Sequence, residues 1–281
     1  MTLGELLREA AAGLAPASDS PRLDAELICC HVLGADRSLC FSRPEQPLTA
    51  DDEAAIRALL RRRLAGEPIA YLLGKRGFWT LELAVSADVL IPRPETELLV
   101  ERCLTHVPEH AQQALCDLGT GSGAIALALA SERPDCTVTA VERSASALAL
   151  ARRNAEHCGL QVELVLGDWL QPLPGRRFHL IASNPPYVAE HDPHLRKGDV
   201  RFEPEPALVA GPDGLDALRI LIAEAPAHLH PGGWLLLEHG YDQADAVTAL
   251  MHDAGFTSVI CHRDLAGQPR VSEGQYPGDA P

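Results

Sequence analysis

Two short stretches of this 281-residue chain carry side chains able to hold and orient a reacting group. The first is Ser183-Asn184-Pro185-Pro186-Tyr187, which follows the apolar, turn-bounded run Phe178–Ala182, read as a buried strand. Two prolines stop that strand, since neither can donate to a ladder, and Asn184 is pressed toward an extended conformation by the proline after it. The outcome is a stiff strand end presenting an amide, bare carbonyls and an aromatic ring. Such a cluster suits a planar –NH2 group: Asn184 Oδ1 and the Pro185 carbonyl accept its two hydrogens, Pro186 stiffens the turn, and Tyr187 covers the face. Taken alone, the same residues also describe a proline-rich turn capping a core strand.

The second stretch is Asp117-Leu118-Gly119-Thr120-Gly121-Ser122-Gly123-Ala124, where a strand pattern meets a helix pattern. Gly119, Gly121 and Gly123, with the small Thr120 and Ser122 between them, let the backbone turn sharply and approach a ligand closely. Read literally, Gly119-x-Gly121-x-x-Ala124 also satisfies the dinucleotide fingerprint, so the loop alone does not separate NAD from another adenosine cofactor. Glu142 ends the next strand, suited to ribose hydroxyls. After the third come Asp168, an acceptor for an exocyclic amine, and Trp169, a stacking surface for a base. Asp117 favours one choice, because a carboxylate beside the loop repels a pyrophosphate and suits an ammonium and a sulfonium.

The elements that must position these residues follow from periodicity. Strand candidates are 114–118, 136–141, 161–166, 178–183, 233–238 and 257–261, separated mostly by alanine- and leucine-rich helical segments. This alternation predicts an α/β, doubly wound, mostly parallel sheet whose ligands sit beyond the carboxyl ends of its strands. Ahead of it, three helical patterns predict a small N-terminal bundle over 1–75. One carries Leu3 to Leu14, one starts at Ser20-Pro21 and stops at Gly34, and one starts at Thr49 and ends at Gly66. Arg57, Arg61, Arg62 and Arg63 on the third are read as a solvated face. Phe78–Val85 predicts a connecting β-hairpin within 76–90, and 91–281 forms the main domain. Ile91-Pro92-Arg93-Pro94-Glu95-Thr96-Glu97 is a rigid turn read either as the mouth of the site or as a hinge; no role for Arg93, Glu95 or Thr96 follows from the pattern.

Composition narrows the partners. Residues 1–75 carry nine Lys/Arg and eleven Asp/Glu, whereas 76–281 carry fifteen and twenty-eight, a net charge of −13. That acidity opposes a phosphate backbone and favours a small molecule or a basic protein. Eight cysteines without a CxxC pair predict buried, reduced thiols in a cytoplasmic protein. His191/His194 and His228/His230 lack companion ligands, so no metal is expected. No apolar run reaches membrane-spanning length, and Met1–Glu9 has no basic n-region of a secretory signal.

Asp117–Gly123, Glu142, Asp168 and Trp169 together resemble the S-adenosylmethionine site of class I methyltransferases, a Rossmann-like fold. With Asn184–Tyr187 on the fourth strand, the set is similar to the amino-methylating branch, which modifies exocyclic amines of bases and amide nitrogens of glutamine. The helical N-terminal region, the Phe78-Trp79 hairpin, Leu90–Glu97 and the late Asp264-Leu265-Ala266-Gly267 resemble the release factor glutamine N5-methyltransferase family over nearly the whole chain. The resemblance implies methylation of the glutamine in the Gly-Gly-Gln loop of bacterial peptide chain release factors. It assigns Asn184, Pro185 and Tyr187 to the target amide, and it implies no stable nucleic-acid or membrane partner. An amino-methyltransferase acting on DNA or RNA is the alternative, since the same cluster serves a flipped adenine. An NAD-dependent oxidoreductase leaves Asn184–Tyr187 unexplained. One feature departs from the family pattern: Arg270-Val271-Ser272-Glu273-Gly274 stands where an apolar strand should close the sheet, which counts against a last strand there.

Overall fold

The computed structural model describes residues 1–278 and resolves into two compact units: Met1–Lys75 with His194–Phe202, and Arg76–Pro193 with the chain from Glu203 onward. In the first unit α1 (Leu3–Leu14), α2 (Pro21–Leu33) and α4 (Ala50–Leu64) carry the core, with α3 (Leu39–Ser42) and α5 (Ile69–Leu73) as short additions too brief to show a period. Thr2 and Glu5 form a reciprocal capping box at the start of α1. Ser20 precedes α2, but its side chain makes no cap bond; its N–H donates to Ser18 Oγ, which in turn donates to Asp24.

The arginine stripe of α4 is not uniformly solvated. Arg63 is buried, with Nε 2.7 Å from Asp24 and Nη1 2.9 Å from Asp199. An isolated buried guanidinium would be very costly, so these carboxylates are what permits its burial. Arg57 and Arg62 do lie at the surface, paired with Glu9, Glu53 and Glu67.

The second unit opens with the hairpin β1 (Lys75–Phe78) and β2 (Leu81–Ala84). At its turn Trp79 adopts φ 55°, strained for an aromatic residue. Glu97 accepts from its N–H at 2.9 Å and Glu132 from its indole at 2.7 Å, holding it there. The main sheet has seven strands: β3 (Ala114–Leu118), β4 (Thr137–Glu142), β5 (Glu163–Leu166), β6 (Phe178–Ser183), β7 (Leu229–Glu238), β8 (Thr257–Arg263) and β9 (Pro269–Gln275), in the order β5-β4-β3-β6-β7-β9-β8. The first five pair in parallel and β9 is antiparallel to both β7 and β8. Alternate residues serve opposite faces. Leu115, Leu180 and Leu236 join α6 (Thr96–His106), α7 (Ala124–Glu132) and α8 (Ala145–Cys158). Cys116, Ile181 and Leu235 join α9 (Asp216–His228) and α10 (Ala244–Asp253). This is the mostly parallel, doubly wound, Rossmann-like arrangement expected. No described helix is long and apolar enough to cross a membrane.

The segment expected to break the sheet is instead β9. Its polar residues are buried because each meets a partner. Glu273, 2% exposed, receives Arg102 at 3.1 Å and both His106 and His262 at 3.2 Å, while Ser272 Oγ lies 2.8 Å from His239 Nε2. Apolar patterning cannot register a strand whose inward positions are satisfied by charge.

Burial would raise the Glu273 carboxyl, but His106 and Arg102 outweigh it and hold it at about 2. A carboxyl depressed below its ordinary value adds stability that is complete above that value and is lost as the pH falls toward 2. Glu273→Gln should therefore cost about 1–3 kcal/mol at neutral pH. It should also flatten the loss of stability on acidification, both readable from urea midpoints between pH 7 and 2; parallel wild-type and variant curves would contradict this.

Candidate active site

Because β3, β4, β5 and β6 run in parallel, Gly119, Glu142, Asp168 and Asn184 all emerge at one edge of the sheet. A single cleft gathers them. Its walls are Gly119–Ser122 after β3, Val141–Ser144 at the end of β4, Gly167–Trp169 after β5, and Asn184 and Pro186 after β6. The mouth adds Val89, Leu90, Pro92, Arg93 and Thr96 from one side and Pro204, Pro206 and Ala207 from the other. Glu203, fully buried, accepts from the Ile91 N–H and pairs with Arg93, tying these two sides together.

The glycine loop is built for close approach. Gly119, Gly121 and Gly123 have φ of 72°, 56° and 88°, where other residues are strained. A Cβ on Gly119 would come within 3.2 Å of the Trp169 ring, while one on Gly121 would meet nothing within 4 Å, so that flank is open. Glu142 is buried and both its oxygens are engaged: Oε2 accepts from Gly121 N–H at 3.0 Å and Oε1 from Ser144 N–H at 2.8 Å. Each carboxylate oxygen keeps a further lone pair for a hydroxyl. Asp168 is exposed at the cleft, and Trp169 lies against Gly119 with φ 45°.

Asp117 is the exception. Expected to meet a ligand directly, it is fully buried behind the loop, where Oδ2 accepts from Thr120 Oγ1 at 2.6 Å and from Ala126 N–H at 3.1 Å. Burial pushes its carboxyl up to about 7 against those two bonds. Its other oxygen, Oδ1, has no hydrogen-bond partner among the described residues. Asp117 thus shapes the loop from within.

The cluster after β6 is likewise divided. Asn184 lines the cleft; its Nδ2 donates to Thr96 Oγ1 at 3.1 Å, while its buried Oδ1 has no partner among the described residues. Pro185 is buried. Tyr187 turns its hydroxyl to Glu238 Oε1, 3.3 Å away, and its carbonyl accepts from Gln243 Nε2 at 3.0 Å. Its ring packs against the core beneath α9 and α10 rather than on the cleft wall.

Three residues of the site have no role in the sequence reading. Thr96 orients Asn184. Glu238, at the end of β7 and 1% exposed, receives the Tyr187 hydroxyl. Asn154 on α8 donates to Ser122 O at 2.8 Å and exchanges bonds with both backbone groups of Ala84, fastening the glycine loop to the hairpin. Signals existed for Thr96, in the Ile91–Glu97 turn read as one option for the mouth, and for Asn154, a lone amide on the apolar face of α8 between Ala151 and Ala155.

The donor set fits a ligand with ribose-like hydroxyls and a flat ring: two carboxylates, an indole and close-approach glycines. The free Asn184 oxygen fits a hydrogen-bond donor held next to it. Among the described residues no group of His, Cys, Asp and Glu is placed to hold a metal ion.

Known proteins agree with this geometry. Residues 5–74 match the family model of the PrmC N-terminal domain, and residues 94–199 that of the methyltransferase small domain. The chain is 53% identical to the release factor glutamine methyltransferase of Xylella fastidiosa (strain Temecula1) over 92% of its length and 94% of that protein's. It is 49% identical to the Escherichia coli K12 protein of the same name over 96% and 97%. A methyltransferase structure from Pyrococcus furiosus aligns over 78% of the chain and 98% of its own at 21% identity and a TM-score of 0.55, which speaks for the fold alone. The chain belongs to the release factor glutamine methyltransferase family.

Proposed function

We propose that this enzyme transfers the methyl group of S-adenosylmethionine to the side-chain amide nitrogen of a glutamine in a bacterial peptide chain release factor, the one in its Gly-Gly-Gln loop. The observation that carries the reading is the Asn184 oxygen, buried, without a partner among the described residues and set at the cleft beside the glycine loop. In this reading Gly119, Thr120, Gly121 and Ser122 with Gly123 cradle the cofactor, Glu142 takes its ribose hydroxyls, and Asp168 and Trp169 take its base. Asp117 holds the loop in shape for its amino-acid end. The helical residues 1–75 recognise the protein substrate, 76–90 connect, and 91–281 carry the chemistry. Release factors place the reaction in the cytoplasm.

When bound, the cofactor supplies an electrophilic methyl carbon. An amide nitrogen is a weak nucleophile because its lone pair is delocalised into the carbonyl. Asn184 Oδ1 and the Pro185 carbonyl accept its two N–H hydrogens, which fixes the nitrogen in line for attack and stabilises the positive charge that develops on it. Pro186 narrows the cleft, and Tyr187, anchored on Glu238, closes the turn behind the amide. The C–N bond forms as the carbon–sulfur bond breaks. The N-protonated amide that results is strongly acidic and loses its proton to water without a dedicated base.

The base-directed alternative is opposed by the net charge of −13 over residues 76–281. Incubation with a purified release factor, a nucleic-acid control and labelled cofactor, followed by mass mapping, tests the assignment. Label on a glutamine supports it and label confined to a base overturns it. Asn184→Ala should lower turnover by about 10²–10³ while cofactor affinity changes little. Unchanged turnover would rule out the acceptor role.

Asp117→Ala leaves the Thr120 hydroxyl and the Ala126 N–H without their acceptor. It should weaken S-adenosylmethionine binding about tenfold through a loosened loop, corresponding to about 1.4 kcal/mol. Calorimetric titration reads this directly. A thermal shift with S-adenosylmethionine and none with NAD is expected; the opposite pattern would favour an oxidoreductase.

A further inference from the structure

In the helical unit, Glu26 on α2 is 2% exposed, yet the two guanidiniums that neutralise it stand at the surface, 51% and 49% exposed. Arg22, one turn earlier on α2, brings Nε to 2.6 Å from Oε1. Arg37, in the turn after α2, brings Nη2 to 2.7 Å and Nε to 3.3 Å from Oε2. Burial would raise the Glu26 carboxyl, but Arg22 and Arg37 outweigh it and hold it below its ordinary value. A buried charge costs stability that an apolar residue of similar size would not. What Glu26 does in return is fix two long surface side chains in place.

Those two arginines flank an open groove between the start of α2 and α3. Its other walls are apolar, with Leu23 36% and Phe41 66% exposed. Single exposed apolar residues are ordinary on a protein surface, but these two share a groove with fixed cations. Arg22 bonds Glu26 through Nε alone, and Arg37 leaves Nη1 unused, so donors remain at the rim. Glu26 cancels one of the two positive charges and leaves the groove net +1, in a stretch of chain, 1–75, that is net −2. A carboxylate beside an apolar side chain matches this surface. The free guanidinium N–H groups take charge-assisted bonds to its oxygens, and little rotamer freedom is lost because both arginines are already held. A phosphate backbone matches it poorly, given one net positive charge on a chain of net −15.

We propose that the groove between Arg22, Leu23, Arg37 and Phe41 docks a segment of the protein substrate in which an acidic residue lies beside an apolar one. The carboxylate bonds the free N–H groups of Arg22 and Arg37, and the apolar side chain covers Leu23 and Phe41. Glu26 is the residue that positions both arginines for this contact. The inference rests on the reading that residues 1–75 recognise a release factor, and it gives that recognition its chemistry. None of the groove residues lines the cleft, so the contact governs how tightly the substrate is held and not the methyl transfer itself.

Phe41→Ala and Arg37→Gln in the full chain are the informative variants, assayed with a purified release factor and labelled cofactor. Each should raise KM for the release factor about tenfold, with kcat and the cofactor KM nearly unchanged. In the wild type that KM should rise with added NaCl, and in Arg37→Gln the rise should be shallower because one screened ion pair is gone. Arg37→Gln also takes a partner from buried Glu26; Phe41 is exposed and outside the core, so Phe41→Ala keeps the test decisive if Arg37→Gln does not fold. A photo-crosslinker installed at Phe41 reads the contact without turnover, in a mixture of release factor and single-stranded RNA. It should attach to a release-factor peptide that carries Asp or Glu close to an apolar residue. Wild-type KM in Phe41→Ala, a wild-type KM independent of salt, or cross-links only to RNA or to a second copy of this chain would overturn the proposal. Failure of the wild type to modify a glutamine would instead sink the substrate assignment, whereas normal modification with wild-type KM in both variants would sink the groove alone.

Discussion

Parallel pairing of β3, β4, β5 and β6 is the constraint on which the rest of this molecule depends. Parallel strands must all end on the same edge, so residues separated by tens of positions along the chain arrive side by side there. The chain first extends the sheet in one direction, from β3 to β5, and then returns to place β6 against the free side of β3. The crevice opened by that reversal receives the glycine loop, Glu142, Asp168 and Asn184 together. No single element contains the site.

Buried charge is the second theme, and it is handled in two ways. Where the group has a structural role, partners of suitable charge surround it: Arg63 lies between two carboxylates, and Glu273 takes Arg102 with two histidines close by. Near the cleft the pairing is deliberately incomplete. Asp117, Asn184 and Glu238 each keep one buried oxygen without a partner among the described residues. An unsatisfied buried acceptor costs about 1–3 kcal/mol. Such atoms are not confined to the cleft, since Arg76 Nε and Gln113 Oε1 also lack partners among the described residues.

Left-handed backbone at non-glycine residues occurs at Trp169, which lines the cleft, and away from it at Trp79, His110 and Ser258. Trp79 is held by two glutamates from α6 and α7, and the same hairpin is fastened to the glycine loop through Asn154. The loop is therefore preorganised by contacts from α8 and β2, as a site that must bind a donor and an acceptor in line requires.

Local pattern by itself determined the alternating strands and helices, the helical first unit, the glycine turn and the proline-stiffened end of β6. Each depends on residues adjacent in the chain: Gly at positive φ, Pro without a donor, apolar residues at fixed period. Resemblance over nearly the whole length supplied the family. Tertiary structure alone decided that Asp117 is folded behind its loop, that Tyr187 turns to Glu238 rather than lining the cleft, and that Arg63 is buried. It also decided that a polar segment forms β9. Arg63 depends on Asp24 and Asp199, Glu273 on Arg102, His106 and His262, and Tyr187 on Glu238, all distant in sequence, whereas Asp117 is held by the nearer Thr120 and Ala126. A buried polar group goes where its counter-charge or hydrogen-bond partner is, and only the folded chain brings that partner within reach.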